Sequence, residues 1–364
     1  MIDDNVYFPI PSSSIYDMSG RIMTDVEDTM AEVLEADETT SILSHRALMT
    51  AAVYPRVVGV IIFFSSMCMI FMARNRLDQL FHRLVIGMTV HLWIFSIFSM
   101  WGTAAIPSGL MNVYGNVGTI ATCTTQGFFV FVCEASAVLY YVSFSVYSMV
   151  GVLNNFEKVK IIWVEKWIHL IVHIYPFGAA IYLLVTKSFN NYLIGFCYAA
   201  PSPFDCNNDE DDTQRANCVR GVSYETIHGL LIFRVCFNLV FPTIMMIVLY
   251  CMVKKRQERI YCIHSKQIFI QSIIYLLPIY FTEAPFLITY VVAYVGYKEG
   301  MTNIRFGFSA FGMLCLSLFG LGAMLSYTYF SVNRDNSQFT TDSMTNDNKN
   351  GNSNNNNNNN NNND

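Results

Sequence analysis

The stretch from Cys123 to Leu153 constrains the fold more than any other part of the chain, because it is almost entirely apolar or small. It holds a single charged residue, Glu134. At about 1.5 Å of rise per residue, a helix of this length extends ~45 Å, whereas the hydrocarbon core of a bilayer is ~30 Å thick. The segment can therefore cross a membrane with a tilt and project from both surfaces.

The composition supports a membrane protein. Hydrophobic residues make up 53% of the chain and charged residues only 13%, against about 25% charged residues in soluble globular proteins. The net charge of -5 says little, because the acidic residues crowd into a few segments outside the apolar runs. The ten cysteines form no CxxC pair and lack the spacing of a zinc site, so we expect no metal centre.

Seven long apolar runs predict seven membrane-spanning helices, since each is near or above the ~20 residues that a span requires. They cover residues 51–73, 84–106, 123–153, 167–186, 227–253, 267–295 and 306–332. We therefore expect an all-α membrane protein in which residues 47–332 form a seven-transmembrane helix bundle.

The short loops predict the orientation of this bundle, because Lys and Arg collect on the cytoplasmic side. Basic residues follow the first, third and fifth runs: Arg74, Arg76 and Arg83, then Lys158, Lys160 and Lys166, then Lys254, Lys255, Arg256, Arg259 and Lys266. The loops on the opposite side are neutral (107–122), acidic (205–212) or nearly balanced (296–305). The amino terminus is thus expected outside and the carboxyl terminus inside.

The two ends of the chain read as disordered segments. Residues 1–46 are polar and acidic and predict an extracellular arm, with a short helix around Met30 as the alternative; no signal peptide is visible, so the first apolar helix would direct insertion. Residues 333–364 end in an asparagine homopolymer and predict a cytoplasmic tail. Its serines and threonines either become phosphorylated and attract kinase- or arrestin-like regulators or belong to an unmodified spacer.

Four cysteines fall on the predicted outer side, where the environment is oxidising: Cys123, Cys197, Cys206 and Cys218. Four cysteines permit three pairings. We favour Cys206 with Cys218 and Cys123 with Cys197, because the long loop would then be folded on itself and held over the bundle. The alternative is that one or more of these thiols stay free.

Ionisable residues inside a membrane are costly and mark functional sites. Five occur in the apolar runs: His91, Glu134, His173, Arg234 and Glu283. Glu134, Arg234 and Glu283 lie at overlapping depths, so Arg234 can pair with either carboxylate in a partly wet cavity, and we take these three as ligand-pocket candidates. The alternatives are a purely structural ion pair or a protonated carboxylic acid, and for the two histidines we expect a packing role.

Several of these features together resemble G-protein-coupled receptors. They are the seven helices, the outer amino terminus, Cys123 at the start of the third helix, Cys197 after the fourth, and prolines in the fifth and sixth. Cys123, Gln126, Gly127 and Phe128 are similar to the third helix of cyclic-AMP-receptor-like receptors. The RNRLDQLFHRL and GFCYAA stretches look like loops of that group, and the resemblance covers residues 50–332.

Two signatures of the rhodopsin-like class are missing. The third run closes on YSMVGVLNNFEKVK without Asp-Arg-Tyr, and the seventh closes on GLGAMLSYTYF without Asn-Pro-x-x-Tyr. The cyclic-AMP-receptor-like and secretin-like groups also lack both motifs, so the resemblance is greater to these two groups.

The resemblance implies a plasma-membrane receptor that binds an external ligand and transmits a conformational change to a heterotrimeric G protein. It also supports the tether between Cys123 and Cys197. The basic loop residues are then candidates for the G-protein contact, although positive charge on the inner side needs no partner to explain it: Arg74, Arg76, Lys254, Lys255 and Arg256.

Other functions fit the sequence less well. A retinal protein holds its cofactor on a lysine of the seventh helix, and there is no lysine between Arg305 and Arg334, so we expect no cofactor. No HExxH motif or His–Asp cluster in the runs predicts an enzyme, and nothing predicts nucleic-acid binding. The alternative to a receptor is a polytopic transporter or channel with an intramembrane charged site.

Overall fold

The computed structural model describes residues 49–78, 80–110, 113–154, 158–192, 195–202, 218–257, 262–299, 311–312, 314–316 and 318–329. The chain divides into two units, Met1–Thr50 and Ala51–Asp364; apart from the first two residues of the first helix, the described elements belong to the second. The predicted acidic arm, the asparagine-rich tail and Cys206 lie outside the described residues.

The described part of the chain is built mainly from helices. Their bounds are α1 Met49–Arg76, α2 Leu80–Trp101, α3 Ile120–Leu153, α4 Lys158–Val185, α5 Tyr224–Gln257, α6 Cys262–Glu299 and α7 Leu314–Tyr329. A 3-10 turn, Gly102–Ala105, extends α2. Six of these helices are long and apolar enough to cross a membrane, as in an integral multi-pass membrane protein.

The seventh predicted span, 306–332, is represented by the shorter α7. It is apolar, but its described length is below the ~20 residues of a typical span. The six earlier spans agree with the predicted runs, whereas the seventh stays a prediction.

α3 is the central helix of the bundle. Within its most apolar membrane-length window 83% of residues are buried, against 22–50% for the other five spans. It contacts α2, α4, α5, α6 and both strands. The outer helices instead expose large apolar side chains, among them Phe64, Trp163, Phe233 and Phe281, as expected of surfaces in contact with lipid.

The start of α3 is set by local hydrogen bonds. The Thr122 backbone N–H donates to Thr119 Oγ1 at 3.2 Å, and the Thr119 backbone N–H donates to Thr122 Oγ1 at 2.7 Å. This reciprocal pair satisfies donors that a helix leaves open at its first turn. It begins α3 three residues before Cys123, so that this cysteine lies within the first turn.

A β-hairpin between α4 and α5 was not predicted from the sequence. Strands β1 (Phe189–Tyr192) and β2 (Phe196–Ala199) pair antiparallel, with Tyr192 opposite Phe196. Gly195 ends the turn at φ +77°, and a Cβ there would lie 2.2 Å from the Ala51 carbonyl oxygen, so glycine is required. The described structure is therefore mostly helical, consistent with the predicted all-α membrane protein, with one short hairpin that the prediction did not include.

The two ends of the bundle can be named from these elements. The disulfide end carries the hairpin, the start of α3 and the start of α5. The basic end carries Arg74, Arg83 and Lys254, at the end of α1, the start of α2 and the end of α5.

Candidate functional site

A disulfide joins the start of α3 to the hairpin. Cys123 and Cys197 are bonded with their Cα atoms 5.3 Å apart, and both are almost fully buried. The two cysteines are 74 residues apart in the sequence, so the bond closes a long covalent loop. The preferred pairing of these two cysteines is present, and the hairpin is held against the bundle.

Gln126 fixes the hairpin by hydrogen bonds as well. Its Nε2 donates to the carbonyl oxygens of Phe98 at 3.0 Å and Gly102 at 3.1 Å, and its Oε1 accepts the Cys197 backbone N–H at 2.8 Å. The side chain is fully buried, so it satisfies three main-chain groups that would otherwise be unpaired away from water. One amide thereby links α2, α3 and β2.

Gly127 allows the hairpin to approach α3 closely. A Cβ at this position would lie 2.8 Å from Cδ1 of Phe189, which is closer than carbon atoms approach in proteins. The Phe189 ring in turn packs near Phe131, with ring centroids 6.3 Å apart. The neighbouring residues Gln126 and Gly127 thus have complementary roles, one bonding the hairpin and the other making room for it.

Beneath the hairpin, three polar side chains form a closed triangle. Arg234 on α5 donates through Nη2 to Glu134 Oε1 on α3 at 2.9 Å, and through Nη1 to the Tyr198 hydroxyl at 3.2 Å. That hydroxyl donates to Glu134 Oε2 at 2.6 Å. Both Glu134 oxygens are therefore used. The triangle, Glu134, Arg234 and Tyr198, is called the buried triad below.

The buried triad is shielded from solvent. The charged side chains of Arg234 and Glu134 are only 2% and 7% exposed, and charges that are this buried require partners. Burial raises the pKa of Tyr198 well above its ordinary value, so this hydroxyl keeps its proton and serves as a donor. The pairing of Arg234 with Glu134, rather than with Glu283, resolves an alternative that the sequence left open.

Glu283 on α6 lies near the triad without joining it. It is 2% exposed and interacts electrostatically with Arg234, and it accepts one long hydrogen bond, 3.4 Å from Asn238 Nδ2 to its Oε1. Glu283 Oε2, Asn238 Oδ1 and Arg234 Nε have no hydrogen-bond partner among the described residues. The region therefore holds two carboxylates for one guanidinium and three polar atoms with unused bonding capacity.

A small cavity opens beside the triad. It has a volume of about 30 Å³, enough for a water molecule but not for a larger ligand. Glu134 provides its charged wall, and six aromatic rings provide most of the rest: Phe95, Tyr192, Phe196, Tyr198, Phe286 and Tyr290. A charged group surrounded by aromatic walls is typical of small-molecule sites.

The candidate G-protein contacts lie at the other end of the bundle. Arg74 is exposed and its guanidinium carbon lies 4.0 Å above the centre of the Phe71 ring, while Lys254 and Lys255 are exposed at the end of α5. Arg76 is half-buried, and the side chain of Arg256 lies outside the described part. Along their helices, these residues lie at the opposite end from the hairpin that covers the buried triad.

Cys218 is disulfide-bonded, and its predicted partner, Cys206, lies outside the described residues. The pairing of these two cysteines stays a prediction.

Tyr198 is the member of the triad that the sequence did not reveal. Charge alone singled out Glu134 and Arg234, whereas a tyrosine in a loop gave no comparable signal. The one available indication was its position, directly after the cysteine that tethers the loop.

Comparison of the sequence with known protein families found no family that matches. Comparison with curated proteins likewise gave no match.

Proposed function

We propose that this protein is a seven-helix receptor of the G-protein-coupled type, with the disulfide end outside the cell and the basic end in the cytoplasm. An extracellular small molecule binds at the buried triad, and the resulting change in helix packing is transmitted to a heterotrimeric G protein. The observation that carries this proposal is the buried triad itself, held beneath a disulfide-tethered hairpin and beside an aromatic cavity.

Its construction favours ligand binding over a purely structural role. A structural ion pair is most stable when every polar atom is satisfied. Here Glu283 Oε2, Asn238 Oδ1 and Arg234 Nε lack partners among the described residues. Glu283, Asn238 and Arg234 do not line the cavity as described, so a ligand with donor and acceptor groups reaches these atoms only once the cavity widens, while its apolar part contacts the aromatic rings.

Ligand entry requires movement, because the cavity of about 30 Å³ admits little more than water. A ligand that binds a state with a wider cavity better than this one shifts the population towards that wider state.

α6 is suited to this movement, since Pro278 and Pro285 lie in it and Glu283 lies between them. Pro278 lacks an N–H, which leaves the Ile274 carbonyl free; Ser326 on α7 donates to that carbonyl at 3.3 Å. A change at Glu283 therefore reaches α7 through the proline region.

The direct test is nucleotide exchange on a heterotrimeric G protein. Purified protein in lipid nanodiscs is mixed with G-protein heterotrimers and screened against small-molecule fractions, and exchange should accelerate with the active fraction. The charge-removing set Lys254→Gln/Lys255→Gln should retain ligand binding but exchange more slowly. If no heterotrimer responds, and liposomes containing the protein instead show solute flux, the protein is a transporter or channel and not a receptor.

A further inference from the structure

Two histidine rings meet between α2 and α4, away from the buried triad. His91 Nε2 and His173 Nε2 are 3.1 Å apart, a hydrogen-bonding distance. Both side chains are partly buried, and they lie about midway along their spans, at residue 91 of 80–105 and residue 173 of 162–185. The two rings are called the histidine pair below.

The other ring nitrogens fix the tautomers of the histidine pair. His91 Nδ1 lies 2.7 Å from the Gly87 carbonyl oxygen, and His173 Nδ1 lies 2.6 Å from the His169 carbonyl oxygen. A carbonyl oxygen can only accept, so each Nδ1 must carry the hydrogen. A neutral imidazole has one N–H, which is then already used in both rings.

A contradiction follows if both rings are neutral. Their two Nε2 atoms would then direct lone pairs at each other across 3.1 Å, with no hydrogen between them. One added proton removes the conflict, because it turns the contact into an Nε2–H···Nε2 hydrogen bond in which one partner is charged. Such charge-assisted bonds are about twice as strong as neutral ones.

We infer that the histidine pair is a proton-binding site that holds one proton between His91 and His173 and so links α2 to α4. This inference does not depend on the proposed receptor function, since it rests on different residues and on a different interface.

A row of polar groups leads from the histidine pair towards the basic end. His169 Nδ1 lies 2.6 Å from the Tyr140 hydroxyl, whose ring centre is 5.5 Å from that of His91 and 5.8 Å from that of His173. His169 Nε2 lies 3.8 Å from Glu165 Oε1. These groups continue the polar region from the histidine pair towards the basic end.

The charge at the end of this row is balanced. Arg83 donates through Nε and Nη2 to the two oxygens of Glu165 at 2.6 and 2.7 Å. Among the described residues, the titratable and charged groups that face the histidine pair are therefore Tyr140 on α3, His169 and Glu165 on α4, and Arg83 on α2. No unpaired carboxylate in this set neutralises the bound proton, so its retention depends on the Nε2–H···Nε2 bond.

A metal ion is a less suitable occupant. Zinc requires three or four protein ligands in most sites, and among the described residues no group of three His, Cys, Asp or Glu side chains is placed to hold a metal. A proton requires only the two nitrogens that are present.

The test compares wild type with His173→Gln, His91→Gln and a matched control, His169→Gln, in nanodiscs. The glutamine amide offers His91 a neutral N–H, so His173→Gln keeps a hydrogen bond but binds no proton. A free imidazole loses its proton at about pH 6.5. If the folded pair binds a proton that the unfolded chain has released, the protein becomes less stable as the pH rises above that value.

From pH 5.5 to pH 8, the unfolding constant of the wild type should rise by up to about tenfold per pH unit relative to His173→Gln and His91→Gln. His169→Gln should retain the wild-type dependence, because it leaves both Nε2 atoms in place. Parallel curves for wild type and His173→Gln would overturn the inference, as would loss of the dependence in His169→Gln.

Nitrogen NMR of wild-type protein labelled at histidine provides a measurement that does not require the variants to fold. The expected spectrum at pH 7 shows two coupled rings that share one proton. Two neutral rings throughout the range, or stabilisation of the wild type by added Zn²⁺ at pH 8 that His173→Gln lacks, would overturn the inference.

Discussion

The two ends of the bundle are held together by different kinds of contact. At the disulfide end, a covalent bond, the Gln126 amide and the buried triad all require particular atoms at particular distances. At the basic end, α2, α3, α6 and α7 meet through aromatic rings: Phe81, Phe144, Tyr275 and Tyr327, with Phe81 centred 5.0 Å from Tyr275 and 5.2 Å from Phe144.

Polar contacts occur at the basic end as well: His82 Nδ1 lies 2.8 Å from the Tyr327 hydroxyl among these rings, and Arg83 pairs with Glu165 between α2 and α4 at 2.6 and 2.7 Å. Directional bonds specify one geometry, whereas ring contacts tolerate several arrangements of similar energy. The disulfide end is thus built to define a site, and the basic end is built to repack. Substitutions at the two ends should separate these roles.

Replacing Arg234 by Gln should have the largest effect, because it leaves Glu134 as an unpaired buried charge. We expect the free energy of unfolding to fall by about 3–5 kcal/mol and the ligand response to disappear. Thermal unfolding in nanodiscs measures the first effect. The control is Arg220→Gln, whose guanidinium donates to Asn190 at 3.1 Å in a more open setting at the same end; equal losses in both variants would remove the special role of the triad.

Removing the disulfide should have the second-largest effect on stability. The double variant Cys123→Ala/Cys197→Ala leaves no new thiol and frees the hairpin, at a cost of about 2–4 kcal/mol from the loss of a long closed loop. Chemical denaturation is the measurement. Cys68→Ala, which removes an exposed free thiol, should leave the stability almost unchanged. If the double variant Cys123→Ala/Cys197→Ala is as stable as Cys68→Ala, the proposed anchoring of the hairpin is contradicted.

Tyr198→Phe should have a smaller effect, since it deletes one oxygen and leaves the ion pair intact. A hydrogen bond to a charged group contributes about 1.5–3 kcal/mol, and ligand affinity should fall with it. Tyr182→Phe, at an exposed position on α4, is the matched control. If both tyrosine variants bind ligand like the wild type, the hydroxyl is not part of the site.

Tyr327→Phe should have the smallest effect on stability, about 1 kcal/mol for a neutral hydrogen bond. Because it lies at the end that we expect to repack, it should alter nucleotide exchange while leaving ligand affinity unchanged. Tyr329→Phe, at an exposed position on the same helix, is its control. A loss of ligand affinity in Tyr327→Phe, without a change in exchange, would reverse the proposed division between the two ends.

The sequence predicted the helices well and the details of the site less well. Membrane-length apolar runs are a strong signal, because lipid excludes nearly every other backbone conformation that could span it. Six helices correspond to predicted runs, although α4 begins at Lys158, nine residues before the predicted start. Hydropathy alone misses the beginning of α4, since KVKIIWVEKW mixes charged and apolar residues within one helix.

The hairpin and the partner of Arg234 could not be derived in this way. Each strand has only four residues, and their pairing depends on Gln126, Gly127 and the disulfide, all of which lie far away in the sequence or on another element. Glu134 and Glu283 lay at similar predicted depths. The choice between them follows from which face of each helix meets α5, and sequence depth carries no information about that.

The histidines illustrate the same limit. Their positions in apolar runs predicted packing residues, and nothing in the spacing between His91 and His173 indicated that they would meet. Their contact arises from the packing of α2 and α4 on a common neighbour, α3.

The most direct test of the account is a ligand screen with a second-messenger readout in cells that express wild type, Glu134→Gln or Arg234→Gln at equal surface levels. We predict an extracellular small molecule that activates the wild type, with the response lost or strongly reduced in both variants. A full response in both variants would contradict the assignment of the buried triad as the ligand site.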